Sequence, residues 1–442
     1  MSAKARVVVV GGGFAGLETA FTLRQRLGEK AKLALVADRA DFLFTPNTVY
    51  LPFGGREDRL HIPLNRPLAR RDIAFYPGAP RDLDADGRTL TLTDGTRLPY
   101  DHLVLATGAA MRPQEVPGLA EHAHAVWTPG QLHALGTRFQ QLRSDALSGY
   151  RRRVLFLVPP NNKCSGPLYE IAFMLDTWLR KAGCRDTVRI SWATCEDGYL
   201  QAFGPRLHQV VAAEFADRRI DGHTGLAVDK ISAGEAAFTN GELHGFDLLV
   251  AFPPYAASVC YPGLPADDRG FLTLEPATRR VVGHPEIHAP GDAGDFPVKQ
   301  AFLAFLQADA AADDIAAALA PKAVPRPRRF TPTSMCVMEM YDKATFAQVP
   351  LRQTGDAAHP VSIDESAPGD YRVGVSPLWR LGKAALGIYL PLQFRAGRPF
   401  HGGRAWTGMQ VALDGMSRAL ASGATVPVPA PAPDDAGRGV DL

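Results

Sequence analysis

The chain has 442 residues, room for about three structural units at roughly 150 residues each. With 46% hydrophobic and 21% charged residues it is globular rather than disordered, and 48 basic against 46 acidic residues leave no charge excess of the kind that binds nucleic acid. Five cysteines, no CxxC pair, no apolar run long enough to span a membrane and no secretion signal at the short apolar N-terminus point to a cytoplasmic chain without a metal site, in which a disulfide would be catalytic rather than structural.

The run Arg6–Val10 reads as a buried parallel strand. GGGFAG follows, placing Gly11, Gly13 and Gly16 at the G-x-G-x-x-G positions ahead of a stretch with helical periodicity. Glycines there let the backbone turn tightly and approach a pyrophosphate at the helix N-terminus, while the third lets helix and strand pack closely. A second strand, Leu33–Val36, leads to Asp38, an acid placed to bond a ribose hydroxyl. Dinucleotide binding is the reading; a tight structural turn is the alternative. TLTLTDGTRLPY reads as a hairpin turning at Asp94–Gly95, followed by the apolar run Leu103–Ala106 and the turn Thr107–Gly108. Between Gly118 and about Asp268 a second βα unit interrupts the first. Its opening strand, Val154–Val158, runs into PPNNKCSGPLYE, where an NADH-binding domain needs G-x-G-x-x-G. Prolines offer no N–H to a phosphate, so this unit is expected to keep a Rossmann-like shape without binding NADH. Cys164 stands in the place of the glycine loop.

Farther on, Ile287–Pro290 precedes Gly291–Asp292, and an Ala-rich helix is expected from about Val298 to Leu319. An acid between strand and helix suits a polyol hydroxyl, and the helix N-terminus suits an anion. Past Pro321 comes a basic, proline-rich connection and then SMCVMEMYD with Cys336. Residues 371–420 carry Arg372, Arg380, Lys383, Arg395, Arg398, Arg404 and Arg418 against one acid, Asp414, with Leu378, Leu381, Ala385, Ile388 and Leu392 at helical spacing. That pattern fits a membrane surface, or else an ordinary surface helix packed on the core. The Pro-rich end, 424–442, is expected to be a disordered tail.

YDHLVLATG and HAPGDAG resemble the second and third signatures of two-dinucleotide-domain flavoproteins, which makes the implied cofactor FAD. Together with NNKCSGPLYE, SMCVMEMYD and FLFTPN at Phe42–Asn47, they resemble the sulfide:quinone oxidoreductase family. The most specific element is Cys164, Gly166, Pro167, Tyr169 and Glu170. The resemblance implies an α/β fold with two Rossmann-like domains, the second inserted in the first, and a C-terminal membrane-associating region. Its divisions would be 1–118 with 269–325 for FAD, 119–268 for the second domain with Cys164, and 326–423 for the C-terminal region with Cys336. It further implies that Cys164 and Cys336 form a redox disulfide that hydrosulfide opens, with Cys164 keeping the sulfane sulfur and Cys336 passing electrons to the flavin. To the FAD site it assigns Gly11, Gly13, Phe14, Ala15, Gly16, Asp38, Arg39, Pro46, Asn47, Ala79, Ala106, Thr107, Gly108, Gly291, Asp292 and Lys299. Lys299 is expected as a cation near the reduced flavin, or else as a helix-terminal surface lysine; Glu170 as a proton acceptor, or else as an ordinary helix N-terminal acid. The implied partners are sulfide or a small sulfur compound, a quinone and a membrane surface, with oligomeric state open, on a cytoplasmic peripheral membrane protein. Cys184, Cys195 and Cys260 are expected to be buried free thiols. Departures from the family are Trp127 where many members have a third cysteine, Gln131 and Gln201 where histidines are common, and Val337 after the second cysteine. A flavocytochrome c-like dehydrogenase and a non-catalytic flavin sensor are the alternatives.

Overall fold

The computed structural model describes residues 4–356, 359–366 and 368–421; the expected tail at 424–442 lies outside them. In chain order the main elements begin with β1 (Ala5–Val10), α1 (Phe14–Leu27), β2 (Ala31–Ala37), β3 (Ile73–Pro77) and β4 (His102–Leu105). There follow β5 (Ala123–Ala125), α2 (Pro129–Leu147), β6 (Arg152–Val158), α3 (Gly166–Lys181), β7 (Val188–Thr194), α4 (Gly204–Arg218), β8 (Ile220–His223) and β9 (Leu248–Ala251). The chain continues with β10 (Arg280–Val281), β11 (His284–His288), α5 (Ala301–Leu319), β12 (Thr333–Glu339), β13 (Ala344–Gln353), β14 (Val361–Ile363), β15 (Arg372–Ser376), α6 (Leu378–Arg395) and α7 (Gly403–Leu420).

Two sheets of Rossmann type result. The first has the order β10-β11-β4-β1-β2-β3 and the second β5-β9-β6-β7-β8. Strand β11 pairs parallel with β4 although the whole second sheet lies between them in sequence, so the first sheet is completed only after the chain returns. In β1, Val7, Val8, Val9 and Val10 are at most 3% exposed. A parallel strand covered on both faces needs no polar alternation, and this one shows none. The Asp94–Gly95 hairpin forms as expected, with 97–99 folding back antiparallel on 89–92.

The third sheet, in which β13 pairs antiparallel with β12, β14 and β15, was not anticipated. It places Cys336 in the middle of β12, paired with Ala347. Against it lies α6, whose inner side buries Trp379 and Phe394 while Leu378, Leu381, Ile388 and Leu392 remain 49%, 66%, 64% and 55% exposed. Between α6 and α7 runs an apolar cleft of about 390 Å³ lined by Leu381, Leu386, Met409, Leu413 and Met416 among others. Part of the basic character read from the sequence is paired within the protein. Arg372 pairs with Asp414 at 2.6 Å, Arg380 with Glu339 at 2.7 Å, Lys383 with Glu170, and Arg418 with Asp414 at 2.8 Å. Among the described residues no helix is long and apolar enough to cross a membrane.

Candidate functional site

The glycine turn after β1 is shaped by close backbone approach. Gly11 has φ +119°, and a Cβ there would lie 2.1 Å from the Ala106 carbonyl oxygen; one on Gly16 would lie 1.9 Å from that of Gly11. Nothing stands within 4 Å of the Gly13 position, and Gly13 caps α1 without a side chain. The N-terminus of α1 is thus left without a side-chain cap and with open space beside it, as a pyrophosphate requires. The third signature docks on the first: Gly291, at φ +80°, would place a Cβ 2.8 Å from that of Ala15. Asp38 follows directly on the last residue of β2, exposed, with Arg39 beside it. These features form a cradle that fits a dinucleotide. Gly11→Ala is expected to abolish FAD retention, since both its φ and its contact with Ala106 forbid a side chain; the flavin absorbance of the purified variant measures it.

The other assigned residues take varied positions. Phe14 packs edge-on against Phe42, centroids 4.9 Å apart, so its side chain serves the core. Pro46 and Asn47 lie in the 3₁₀ segment Thr45–Phe53, and Asn47 abuts Gly387 of α6. The Ala79 carbonyl accepts from the Thr93 N–H at 3.0 Å, and that of Thr107 from Ser258 Oγ at 2.5 Å. Gly108 has φ +74°.

At the end of β6 the loop 159–165 turns without glycine. Asn161 supplies the left-handed residue, φ +63°, a conformation asparagine tolerates. Asn162 then spans the loop: its Nδ2 donates to the carbonyls of Phe252 at 2.8 Å and Pro253 at 3.2 Å, and its Oδ1 accepts from the Cys164 N–H at 3.0 Å. Cys164 and Cys336 are free thiols within electrostatic reach of each other. Each keeps a partly open face, yet the protein around them raises both thiols to about 12. Burial is the main cause for each. At Cys164, Asp292, Cys336 and Glu170 add to it while the Gly166 N–H opposes; at Cys336, Glu170 adds while Lys383 and the Ala347 N–H oppose.

Glu170 lies past the first turn of α3 and is 8% exposed, so it is not an ordinary N-terminal acid. It pairs with Lys383, and its Oε2 accepts from the Glu339 N–H at 3.0 Å. Burial raises its carboxyl and Lys383 pulls it back. Lys299 is 3% exposed, so the surface-lysine alternative falls. The helix expected from about Val298 starts instead at Ala301, with Gln300 as its cap. Lys299 precedes it, its N–H donating to the Lys163 carbonyl at 3.1 Å and its ammonium to that of Gly294. Burial lowers Lys299 to about 7; Asp292 opposes this, while Lys163 and Arg279 reinforce it. Asp292 is itself raised by burial, with Lys299 opposing.

Several side chains at this site escaped the sequence reading. Tyr255, 2% exposed, feels both Cys164 and Asp292. Trp127 packs on it with centroids 5.7 Å apart. Lys383, one of the basic residues of the expected amphipathic segment, points inward to Glu170. Gln131 is occupied in the capping box of α2, and Gln201 accepts from the Asp197 N–H at 3.1 Å. Val337 packs beside the stacked pair Phe346–Trp379. Of the remaining cysteines Cys184 is buried, Cys195 only partly, and Cys260 is exposed, which corrects the expectation for the last two. Cys260 lies in the stretch after 255–257, outside any helix or strand.

Residues 5–136 match the pyridine nucleotide-disulphide oxidoreductase family. The sulfide-quinone reductase of Aquifex aeolicus is 31% identical over 283 residues, covering 62% of this chain and 63% of that protein, somewhat less than two thirds of its length. The solved structure of the sulfide:quinone oxidoreductase from Aquifex aeolicus superimposes with a TM-score of 0.78 at 22% identity, over 92% of this chain and 95% of that one. In sequence and in fold the chain is similar to sulfide:quinone oxidoreductases. Its cofactor is FAD, and its fold is the mixed α/β dinucleotide-binding fold of that structure. An NADH dehydrogenase-like protein of Mycobacterium tuberculosis is 29% identical over 298 residues, 65% of this chain and 72% of that protein.

Proposed function

We propose that the protein oxidises sulfide, or a related small sulfur compound, through a Cys164–Cys336 redox pair and passes the electrons by way of FAD to a membrane quinone. The observation that carries this reading is the convergence of two partly buried thiols, one from the loop after β6 and one from β12, with Glu170 and the Asp292 turn beside them. Bound FAD supplies a two-electron acceptor that hands its electrons on one substrate at a time.

The chain's own residues account for the rest. In the disulfide form, hydrosulfide attacks the Cys164 sulfur, the S–S bond breaks, and the products are a persulfide on Cys164 and a thiolate on Cys336. An environment that holds the thiol at about 12 makes that thiolate a strong electron-pair donor. Loss of two electrons then joins Cys336 to the sulfane sulfur on Cys164 and releases the persulfide proton. Glu170 is the carboxylate that faces both sulfurs and is able to take it. Lys299 and the N-terminus of α5 put positive potential beside Asp292, and would favour negative charge on a flavin held there. The exposed apolar side of α6 and its cleft with α7 form the membrane contact through which a quinone arrives.

The NADH-dependent reading fares worse. Pro159, Pro160 and Lys163 occupy the loop where a second pyrophosphate would sit, and Asn161 and Asn162 organise it. In an anaerobic titration, sulfide is expected to bleach the visible flavin band and NADH at micromolar concentration to leave it intact. Rapid bleaching by NADH, with none by sulfide, would overturn the proposal.

A further inference from the structure

Glu339 has no part in the chemistry above, yet it is 3% exposed and heavily hydrogen-bonded. Its Oε1 accepts from Arg380 Nε at 2.7 Å and from the backbone N–H groups of Tyr341 at 2.7 Å and Met340 at 3.1 Å. Its Oε2 accepts from the Tyr50 hydroxyl at 3.2 Å. A carboxylate held by four donors is a fixed anchor. Arg380 and Lys383 are three residues apart on α6 and so share one side of the helix. The first grips Glu339, and the second grips Glu170, whose Oε2 also takes the Glu339 N–H. Tyr50 closes the arrangement, its ring centroid 5.5 Å from Lys383 Nζ. Along β12, Cys336 and Glu339 are three positions apart and point to opposite sides of the strand. Any influence of Glu339 on Cys336 therefore passes through the Glu170–Lys383 pair.

We propose that Glu339 and Arg380 are positioning residues: their ion pair fixes α6 so that Lys383 reaches Glu170 beside the Cys336 thiol. This deepens the reading of Cys336 as a redox cysteine and rests on it. The groups facing Lys383 are Glu170 from α3, Tyr50 from the Thr45–Phe53 segment, and Cys336 and Glu339 from β12, with Arg380 on its own helix. Cys336 in turn faces Cys164, Glu170 and Lys383. The geometry thereby ties the seating of the helix that carries the exposed apolar residues to the ionic surroundings of the redox thiol.

The test needs neither sulfide nor quinone. FAD-loaded protein is reduced with a dithiol, freed of it, and treated with iodoacetamide at a fixed pH below the thiol's midpoint, and alkylation of Cys336 is followed by peptide mass spectrometry. There the rate reports the thiolate fraction directly. Lys383→Met is expected to change it by about threefold or more, the scale of losing a nearby charge. Glu339→Ala and Arg380→Ala should change it in the same direction, and Glu339→Ala should add nothing once Lys383→Met is present. Glu339→Gln, which keeps one oxygen for Arg380 and the two backbone N–H groups and turns an amide N–H toward the Tyr50 oxygen but loses the ion pair, should shift the rate in the same direction and by less than Glu339→Ala. Arg380 is 39% exposed, so its alanine variant folds even where a change at buried Glu339 does not. An unaltered rate in Arg380→Ala beside an altered one in Lys383→Met, an additive double variant, or an unaltered rate in Lys383→Met would each overturn the proposal. Failure of sulfide turnover in wild type alongside the expected alkylation pattern would instead sink only the functional reading.

Discussion

Replacing Cys336 by serine is expected to abolish sulfide-dependent flavin reduction, by on the order of a thousand-fold or more, while FAD stays bound. Cys164→Ser should do the same. A hydroxyl neither forms the disulfide nor carries sulfane sulfur, and at neutral pH it offers no anion to donate electrons. The residues that shape the FAD cradle, Gly11, Gly16, Ala106 and Gly291, lie on other segments, so cofactor content should be unchanged. Because the two sulfurs act as one unit, the double variant should be no worse than either single one. Cys260→Ser, at an exposed position, should be silent. Stopped-flow absorbance under anaerobic conditions measures all of these.

The second large effect is expected at the membrane. Changing both Leu381 and Ile388 to glutamate should detach the protein from lipid vesicles and suppress quinone reduction, while sulfide still reduces the flavin. These side chains are 66% and 64% exposed on α6. Burying an aliphatic side chain of this size contributes about 1.5–3 kcal/mol, so losing two removes about 3 kcal/mol or more, roughly a 100-fold loss of vesicle affinity. Deleting the region from Tyr371 onward is the wrong experiment. Tyr371 donates to the Phe203 carbonyl at 2.9 Å, β15 completes the third sheet, and Phe394 packs between Phe21 and Phe42, so the deletion would strip the core. With Arg372, Arg380, Lys383 and Arg418 paired internally, added salt should release less protein than the double substitution does. Equal vesicle binding by the variant and the wild type in a sedimentation assay would contradict this account.

How much of this was legible beforehand follows from where each signal resides. The glycine turns of the first sheet are local: backbone geometry at Gly11, Gly16 and Gly291 dictates the residue type, so the motif and its fold could be read together. The loop before Cys164 was legible as a departure, because prolines forbid a phosphate cradle, but its Asn161–Asn162 scaffold depends on carbonyls 90 and 91 residues away at Phe252 and Pro253. The third sheet was missed because Pro350 and the short strand 361–363 break the strand pattern. The inward partner of Lys383 was missed for a related reason. A helix with an outward apolar stripe looks the same in sequence whether its cations face lipid or a buried carboxylate 213 residues earlier. Charge counting along a chain does not see such partners.

The most direct test of the central claim is the covalent state of the two sulfurs. Protein purified without reductant is digested and its Cys164 and Cys336 peptides analysed by mass spectrometry, before and after anaerobic addition of one equivalent of sulfide. The account predicts a single cross-linked species joining Cys164 to Cys336, which gains the mass of one sulfur atom as the flavin is reduced. Two separately alkylated thiols in the oxidised protein, with sulfide reducing the flavin all the same, would contradict it.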